Sequence, residues 1–592
     1  MKAILGLNAY HADSSACIVI DGKLIACVEE ERFRRIKHWA GFPSESIRYC
    51  LSAAGIRLSQ VSQLAVNSDS GSNLRQKFGY TLFHRPTVSL LLGKLKTRLH
   101  RSRIKDQLMQ SFPAETFTGK IVPVEHHLAH LASAYYAGPF DDAVAVSIDG
   151  FGDFASAAWG HAGGGKIDLI SQIWFPHSMG VFYQAMTQYL GFPNYGDEYK
   201  VMGLASYGQL TFENEMRKIV RLAGGGKYEL NLRFFRHGRE GIDYSWAEGM
   251  PVFETLYTRE LEDLLGPARQ THEKLDQRHK DIAHSAQWMY EQALFHLLNS
   301  AYEQCECNNL VLAGGCAMNS VANGRIASNV PFRNIYVQSA AGDAGGAVGA
   351  AFAAAARGSD EGIDRGQMSH ASWGPGFDDN EIAGVLSVRR NDLDDSACTV
   401  TRMDVEDALC TAVAQAIANG LVVGWFQGRM EWGPRALGNR SILGDPRRAD
   451  MKDILNLKIK RRESFRPFSP SILRDKVVDW FEQDDDVPFM MKVLQIRESK
   501  RRKVPAVTHV DGSGRVHTVT SEANPLFFKL IKAFDSLTGV PIILNTSFNE
   551  NEPIVCRPEE ALDCYLRTSM DLLVLGGYLI RRQDGERWHA AQ

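Results

Sequence analysis

Two histidines four apart are the first residues in this 592-residue chain whose spacing can do chemistry. In HHLAHLASAYY, His126 and His130 stand at i and i+4, so on a helix both imidazoles leave one face about one turn apart, which is the spacing of paired metal ligands. The chain holds 18 histidines; roughly half an HxxxH pair arises by chance in such a chain, and core or surface histidines also produce the spacing. Asp149, ending the apolar run AVAVSID, and Asp343, in the small-residue loop AAGDAGGAVGAA, complete a candidate mixed N/O set. Two imidazoles and two carboxylates suit Fe2+ or another borderline divalent ion better than a thiophilic one.

A second kind of chemistry is written in glycine. NNLVLAGGCAMNSVANGRI passes from an apolar strand through Gly314 and Gly315 into a helix start carrying Asn319 and Asn323. Such a turn is either a phosphate or adenosine cradle, with backbone close to the ligand and free N–H groups facing an oxyanion, or a tight packing turn. GDEYKVMGLASYG, with Glu198 and Lys200, is in the same way a ligand wall or a turn. A third constellation is cationic: Arg429, Arg435, Arg440, Lys460 and Arg466 fall in loops broken by Gly and Pro. Cations interleaved in this way, rather than grouped on one helical stripe, point to small phosphates and not to a polymer backbone. The run KIKRRE at 458–463 reads mainly as a solvated helix face.

The elements that must position these groups are mixed, which makes the fold class α/β. AILGLN, ACIVIDG and KLIACVEEE read as a three-stranded meander with a Gly-Lys turn, and the same grammar returns in AVAVSIDG, AAWGHAGGGK and IDLISQIW. Two copies imply duplication. Helical patterns lie between and after them, in SESIRYCLSAAG, HHLAHLASAYYA and DIAHSAQWMYEQALFHLLNSAY. Residues 357–380, rich in Gly, Ser and Asp, read as a linker. Beyond it, VEDALCTAVAQAIANG is an amphipathic helix stopped by glycine and LVVGWF a buried strand. The stretches 72–110 and 209–275 are less regular and shape a ligand cleft or pack the core.

Composition narrows the function. Lys+Arg 66 against Asp+Glu 69 gives a net charge of -3, without the basic excess of a protein that tracks nucleic acid. Ten dispersed cysteines with no CxxC argue against zinc ribbons and disulfide scaffolds and for a reducing compartment. No stretch approaches the roughly 20 apolar residues of a membrane span. A cytoplasmic protein with no membrane partner is expected.

The segments GLNAYHADSSA, EEERFRRIKHWAGFP, EHHLAH, SIDGFGD, DEYKVMGLASYG, GGCAMNSVANGR and GDAGGAVGAA, in this order, resemble the O-carbamoyltransferase family of nodulation-factor and antibiotic biosynthesis. The resemblance runs over nearly the whole chain. It implies that residues 1–370 form an actin-like ATPase (TsaD-like) carbamoyl-transfer domain with duplicated ribonuclease-H-like units, iron being held at His126, His130, Asp149 and Asp343. It also implies that residues 371–592 form a YrdC-like domain, the linker at its start, where carbamoyl phosphate and ATP give carbamoyladenylate with the help of Mg2+. HVDGSGRVHTVT and GVPIILNTSFNENEP match the family too. By that resemblance Arg435, Lys460, Arg466, Arg515, Asn545 and Ser547 line the activating pocket. Four cations and two neutral hydrogen-bonders suit a site that holds phosphates while charge moves to a leaving group.

The expected reaction ends with carbamoyl transfer to a hydroxyl of a small-molecule acceptor and release of AMP. The first hairpin loop offers His11 and Asp13 as the base, an imidazole being suited to that work near neutral pH. The spacing HisAlaAsp departs from members in which Asp directly follows His. Lys37 is a candidate phosphate contact, and Arg34 and Arg35 face solvent. Two other functions fit the same domains: a tRNA threonylcarbamoyl-type transferase, and a non-catalytic actin-like nucleotide-binding scaffold. A hydrogenase-maturation role would need CxxC clusters that the sequence lacks.

Overall fold

The computed structural model describes residues 2–84, 104–238, 240, 244–247, 249–357, 365–460, 463 and 465–582. Parts of the stretches singled out above therefore lie outside the described residues: 85–103, 239, 241–243, 248, 358–364 and 461–462. The chain forms two compact units, Met1–Met368 and Ser369–Gln592.

One plan is used twice in the first unit. Strands β1 (Ala3–Asn8), β2 (Ser15–Ile20) and β3 (Lys23–Glu29) form an antiparallel meander, and β4 (Val61–Val66) and β5 (Lys120–Pro123) extend it in parallel from β1. The second meander is β6 (Asp142–Gly152), β7 (Ala155–Gly163) and β8 (Lys166–Trp174). Two short hairpins follow, β9 (Val220–Leu222) with β10 (Tyr228–Leu230) and β11 (Tyr244–Ala247) with β12 (Met250–Phe253). Then β13 (Asn309–Ala313) and β14 (Asn334–Val337) extend β6 in parallel. The sheet orders β3-β2-β1-β4-β5 and β8-β7-β6-β13-β14 are the same order repeated, the duplication that the sequence implies. The turns repeat as well. Asp21-Gly22 (φ 48° and 84°) and Gly164-Gly165 (φ 57° and 75°) both take the two-residue, positive-φ form that matches strand twist.

Small residues set the packing between the copies. The helix Gly345–Ala356 lies against β1, where a Cβ on Gly6 would come within 2.1 Å of the Ala347 carbonyl oxygen. It also crosses the helix His126–Tyr136 at backbone contact, since a Cβ on Gly349 would sit 1.7 Å from the Ala129 carbonyl. Only glycine permits that approach. Two metal-ligand candidates ride on one of these helices, and Asp343 immediately precedes the other. Among the described residues no helix is long and apolar enough to cross a membrane.

The second unit is a nine-stranded mixed sheet: β15 (Cys398–Arg402), β16 (Val423–Phe426), β17 (Arg440–Gly444), β18 (Ser469–Leu473), β19 (Lys492–Gln495), β20 (Ser513–Val519), β21 (Ile542–Ser547), β22 (Leu572–Leu575) and β23 (Tyr578–Arg582). Their spatial order is β15-β23-β22-β16-β17-β21-β18-β20-β19. The helices Glu406–Ala418 and Pro525–Thr538 bury their apolar faces in its core. The later part of the expected linker is built into this unit. Trp432 N–H donates to Ala371 O (2.6 Å), Gly374 N–H to Met430 O (2.9 Å) and Met430 N–H to Pro375 O (2.8 Å). Gly and Pro serve a tight antiparallel path there, which composition alone does not distinguish from a tether.

Candidate active sites

In the first unit, Glu125 caps the helix His126–Tyr136 by accepting from Leu128 N–H, and the i, i+4 spacing does put both imidazoles on one face. His126 Nε2 and His130 Nε2 are 3.0 Å apart and lie 3.0 and 3.1 Å from Asp149 Oδ2. Asp343 Oδ1 stands 3.6 and 3.5 Å from the same two nitrogens, beyond ordinary hydrogen-bond length. It is buried with no hydrogen-bond partner among the described residues. All four donor atoms fall within 4.8 Å of one another. His127, between the two, turns instead to Ser147 Oγ (2.9 Å), and burial drops its pKa to about 3.

Gly314 and Gly315 have a definite job in this geometry. Gly314 adopts φ 90°, and a Cβ there would come within 2.1 Å of Ile148 O. The Gly315 N–H donates to Asp149 Oδ1 (3.0 Å), leaving Oδ2 for the imidazoles. Burial opposes charge on His130, but Asp149 and Asp343 outweigh it and raise the pKa to about 9. Burial likewise works against ionised Asp149, yet the two imidazoles hold its carboxyl well below the usual range. Asp343 moves the other way, raised by burial and by the charge of Asp149. One carboxylate is thus hydrogen-bonded to both imidazoles and the other faces them only at the longer ion-pair distances of 3.5 and 3.6 Å, a donor set that a divalent cation can complete.

Around this cluster, the His11 ring lies 5.2 Å from that of His126, centroid to centroid. Asp13 Oδ1 is 2.8 Å from His38 Nδ1. Sequence reasoning missed His38. Its partner is 25 residues away, and its position beside Lys37 drew attention to the lysine alone. Lys37 bears on the site through its charge next to His38. Lys200 pairs with Asp197 (2.9 Å) at the start of the helix Glu198–Ala205, and burial pushes the Glu198 carboxyl up to about 7. Asn319 caps the helix Ser320–Asn329 and exchanges hydrogen bonds with Gln287 (2.9 and 3.1 Å), while Asn323 Nδ2 donates to Ala317 O (2.7 Å).

In the second unit the adjacent strands β17, β21, β18 and β20 carry a row of polar side chains. Asn545 pairs with Leu443 on one side and Ser469 on the other. Its Nδ2 donates to Ala436 O (3.1 Å) and Ser471 Oγ (3.0 Å), which ties it to the loop holding Arg435. Asn545 Oδ1 is buried without a donor among the described residues. Arg515 Nε donates to Ser469 Oγ (3.0 Å). Arg466, three residues before that serine, lies 3.6 Å from Glu463. Lys460 is buried, its Nζ donating to Ser547 O (2.6 Å), Asn549 O (2.6 Å) and Asn549 Oδ1 (2.7 Å). Buried Glu431, which the sequence did not single out, organises the loop by accepting from the N–H groups of Leu437, Asn439 and Arg440.

Two of the cations have a different role from the one their spacing implied. Arg440 is fully buried and donates to the carbonyls of Gln427, Asn439, Pro375 and Gly428, with its guanidinium 3.6 Å above the Phe426 ring. Burial lowers its pKa to about 10. Arg429 donates to Gly374 O (3.0 Å) and Trp373 O (2.7 Å). Both tie the 371–375 path to the sheet.

Residues 3–352 match the family model described as carbamoyltransferase N-terminus, and residues 414–582 match carbamoyltransferase C-terminus. The chain belongs to the carbamoyltransferase family. This carbamoyltransferase is 38% identical to an uncharacterised protein of Synechocystis sp. over 99% of both chains. It is 36% identical to the nodulation protein NolNO of Sinorhizobium fredii over 98% of its own length and 81% of that protein. A 3'-hydroxymethylcephem-O-carbamoyltransferase of Amycolatopsis lactamdurans is 33% identical over 48% of this chain and 51% of that one.

Proposed function

We propose that this enzyme is an ATP-dependent O-carbamoyltransferase acting in two steps. In the second unit, carbamoyl phosphate loses inorganic phosphate to water. The carbamate oxygen then attacks the α-phosphorus of ATP, bound as its Mg2+ complex; pyrophosphate leaves and carbamoyladenylate forms. In the first unit, an acceptor hydroxyl attacks the carbamoyl carbon, the bond to the adenylate oxygen breaks, AMP departs, and the hydroxyl proton passes to His11.

The observation that carries this reading is the convergence of the donor atoms of His126, His130, Asp149 and Asp343, one of them a buried carboxylate oxygen without a hydrogen bond, in a chain of this family. A divalent ion held by these four, Fe2+ by its donor set, supplies Lewis acidity toward a carbamoyl oxygen. Gly315 and the two imidazoles keep Asp149 ionised and oriented. The backbone at Gly314 and Gly315, with Lys37, Lys200, Asn319 and Asn323, forms the nucleotide side of the first site. In the second site Arg435, Arg466 and Arg515 take the phosphates. Asn545 offers its donorless Oδ1 to a carbamoyl N–H, and Lys460 braces the turn that carries Ser547. The 3'-hydroxymethylcephem-O-carbamoyltransferase, by its name, supports a small-molecule alcohol as acceptor. Ten free cysteines suit a reducing cytoplasm.

The test is incubation with ATP, carbamoyl phosphate, Fe2+ and Mg2+, with chromatographic detection of carbamoyladenylate and pyrophosphate. Wild type forms both and Arg466→Ala forms neither. Wild type forming neither refutes the activation step.

A further inference from the structure

The loop that carries His11 is stitched to the segment 38–41 at every turn. Tyr10 N–H donates to Gly41 O (3.1 Å) and Ser14 N–H to Trp39 O (2.8 Å). Gly41 N–H donates back to Ser14 Oγ (3.0 Å). From inside the loop, Asn8 Nδ2 donates to Ala12 O (2.9 Å) and Asp13 O (3.0 Å). A side-chain pair, Asp13 with His38 at 2.8 Å, joins the two segments end to end. His38 is itself fixed from behind. Its own N–H donates to Glu31 Oε2 (2.8 Å), its ring meets Tyr195 edge-on at 5.2 Å, and Gly196 covers its Nε2, where a Cβ would come within 2.3 Å.

Both segments are held in a conformation that non-glycine residues avoid. Tyr10 (φ 60°) and Asp13 (φ 55°) flank His11, while Arg35 (φ 59°) and His38 (φ 54°) flank the facing turn. Left-handed backbone is uncommon at non-glycine residues and persists where the surroundings enforce it. Strain concentrated on both sides of one ion pair, next to a ring 5.2 Å from a metal-ligand candidate, marks a place where geometry is being enforced.

We infer that His38, acting through Asp13, is the positioning residue that holds the His11 loop in register with the reaction centre of the first unit. The inference rests on His11 being the base of the proposed reaction. The groups that bear on His38 are Asp13, Glu31, Lys37, Tyr195 and Glu198. Burial opposes its charge, but Asp13 and then Glu31 outweigh that and raise its pKa to about 9. The charged form is therefore in place at neutral pH, and the charge-assisted bond weakens as pH rises through about 9. A third ring nitrogen pair near the centre is thus not a second base, since an imidazolium has no lone pair to offer.

The experiment separates the two steps by product, with water as the acceptor probe: pyrophosphate reports the second unit and AMP the first. A shift of about 1 Å in a catalytic group costs about a hundredfold, so His38→Ala lowers AMP release about 10–100-fold while its initial burst of pyrophosphate stays at the wild-type level. His38→Gln, whose amide N–H still reaches Asp13, recovers most of that loss and lacks the fall in AMP release that wild type shows near pH 9. Hydrogen exchange at pH 7 supplies a readout that needs no turnover: the Tyr10 and Ser14 amides exchange at least about tenfold faster in His38→Ala. AMP release in His38→Ala within twofold of wild type, an alkaline limb unchanged in His38→Gln, or unchanged exchange at Tyr10 and Ser14 overturns the inference. Wild type releasing neither product refutes the two-step reaction instead, and the exchange measurement still decides on His38.

Discussion

Replacing Asp343 by asparagine separates the stability of the first unit from its capacity for a cation. The carboxyl is buried beside Asp149, and both effects disfavour its ionised form in the fold. A carboxyl raised in this way costs stability once pH exceeds its ordinary range, so neutral asparagine leaves the metal-free protein no less stable at pH 7. The metal-loaded protein behaves oppositely. Free metal at a hundred times its dissociation constant adds about 2.7 kcal/mol. With an unfolding entropy of about 2.1 cal/mol/K per residue, the 368 residues of Met1–Met368 convert this to a rise of about 3.5 °C in Tm. Weakening the site 10–100-fold, the range seen for disturbed metal sites, cuts that rise to between about 0.5 and 2 °C. Scanning calorimetry of wild type and Asp343→Asn, each with and without Fe2+ under anaerobic conditions, gives the four values needed. A full metal-induced rise in Asp343→Asn, or a metal-free variant several degrees less stable than wild type, would falsify the assignment of Asp343 as a ligand.

Three further outcomes follow from the packing and the cationic pocket. Arg440→Met removes the side-chain donor to four carbonyls, of which Pro375 O and Asn439 O keep a backbone N–H while Gln427 O and Gly428 O lose the guanidinium, and is expected to cost the second unit about 3 kcal/mol in urea unfolding, with the metal-induced shift of the first unit unaltered. Gly349→Ala places a Cβ 1.7 Å from Ala129 O; overpacking of about 1–3 kcal/mol exceeds the gain of about 1 kcal/mol in helix propensity, so Tm falls and the metal-induced rise shrinks with the displaced His126–Tyr136 helix. Arg466→Ala, by contrast, abolishes pyrophosphate formation while changing the urea midpoint by less than about 0.5 kcal/mol, and a large loss of stability there would recast Arg466 as a strut like Arg440.

The parts of the molecule legible in the sequence are those governed by local periodicity. The meanders announced themselves through alternating apolar residues and Asp-Gly or Gly-Gly turns, and His126 and His130 through helical spacing. Asp149 and Asp343 were within reach because one ends an apolar run and the other interrupts a small-residue loop, where a carboxylate stands out. What could not be read is where a long side chain sends its donors. Arg440 and Arg429 sit in the same Gly- and Pro-broken loops as Arg435 and Arg466, yet spend their guanidinium groups on backbone carbonyls. Glu431 and His38 escaped notice because their partners lie on chain segments brought together only by the fold. A buried-carboxylate signal was present at Glu431, an acid between Met430 and Trp432, and it was the one local clue to its role.

The doubled sheet carries an asymmetry at matching places. Asn8 closes the first strand of one copy, where its amide shapes a loop, and Asp149 lies in the irregular stretch between Ile148 and Gly152 of the first strand of the other, where its carboxylate faces two imidazoles. An amide and an acid differ by one heteroatom and a full negative charge. The two ends of the repeat therefore serve differently, one fixing the shape of a loop and the other bringing electrical character to the cleft, so a copy of either half put in place of its sibling would lack what the sibling supplies.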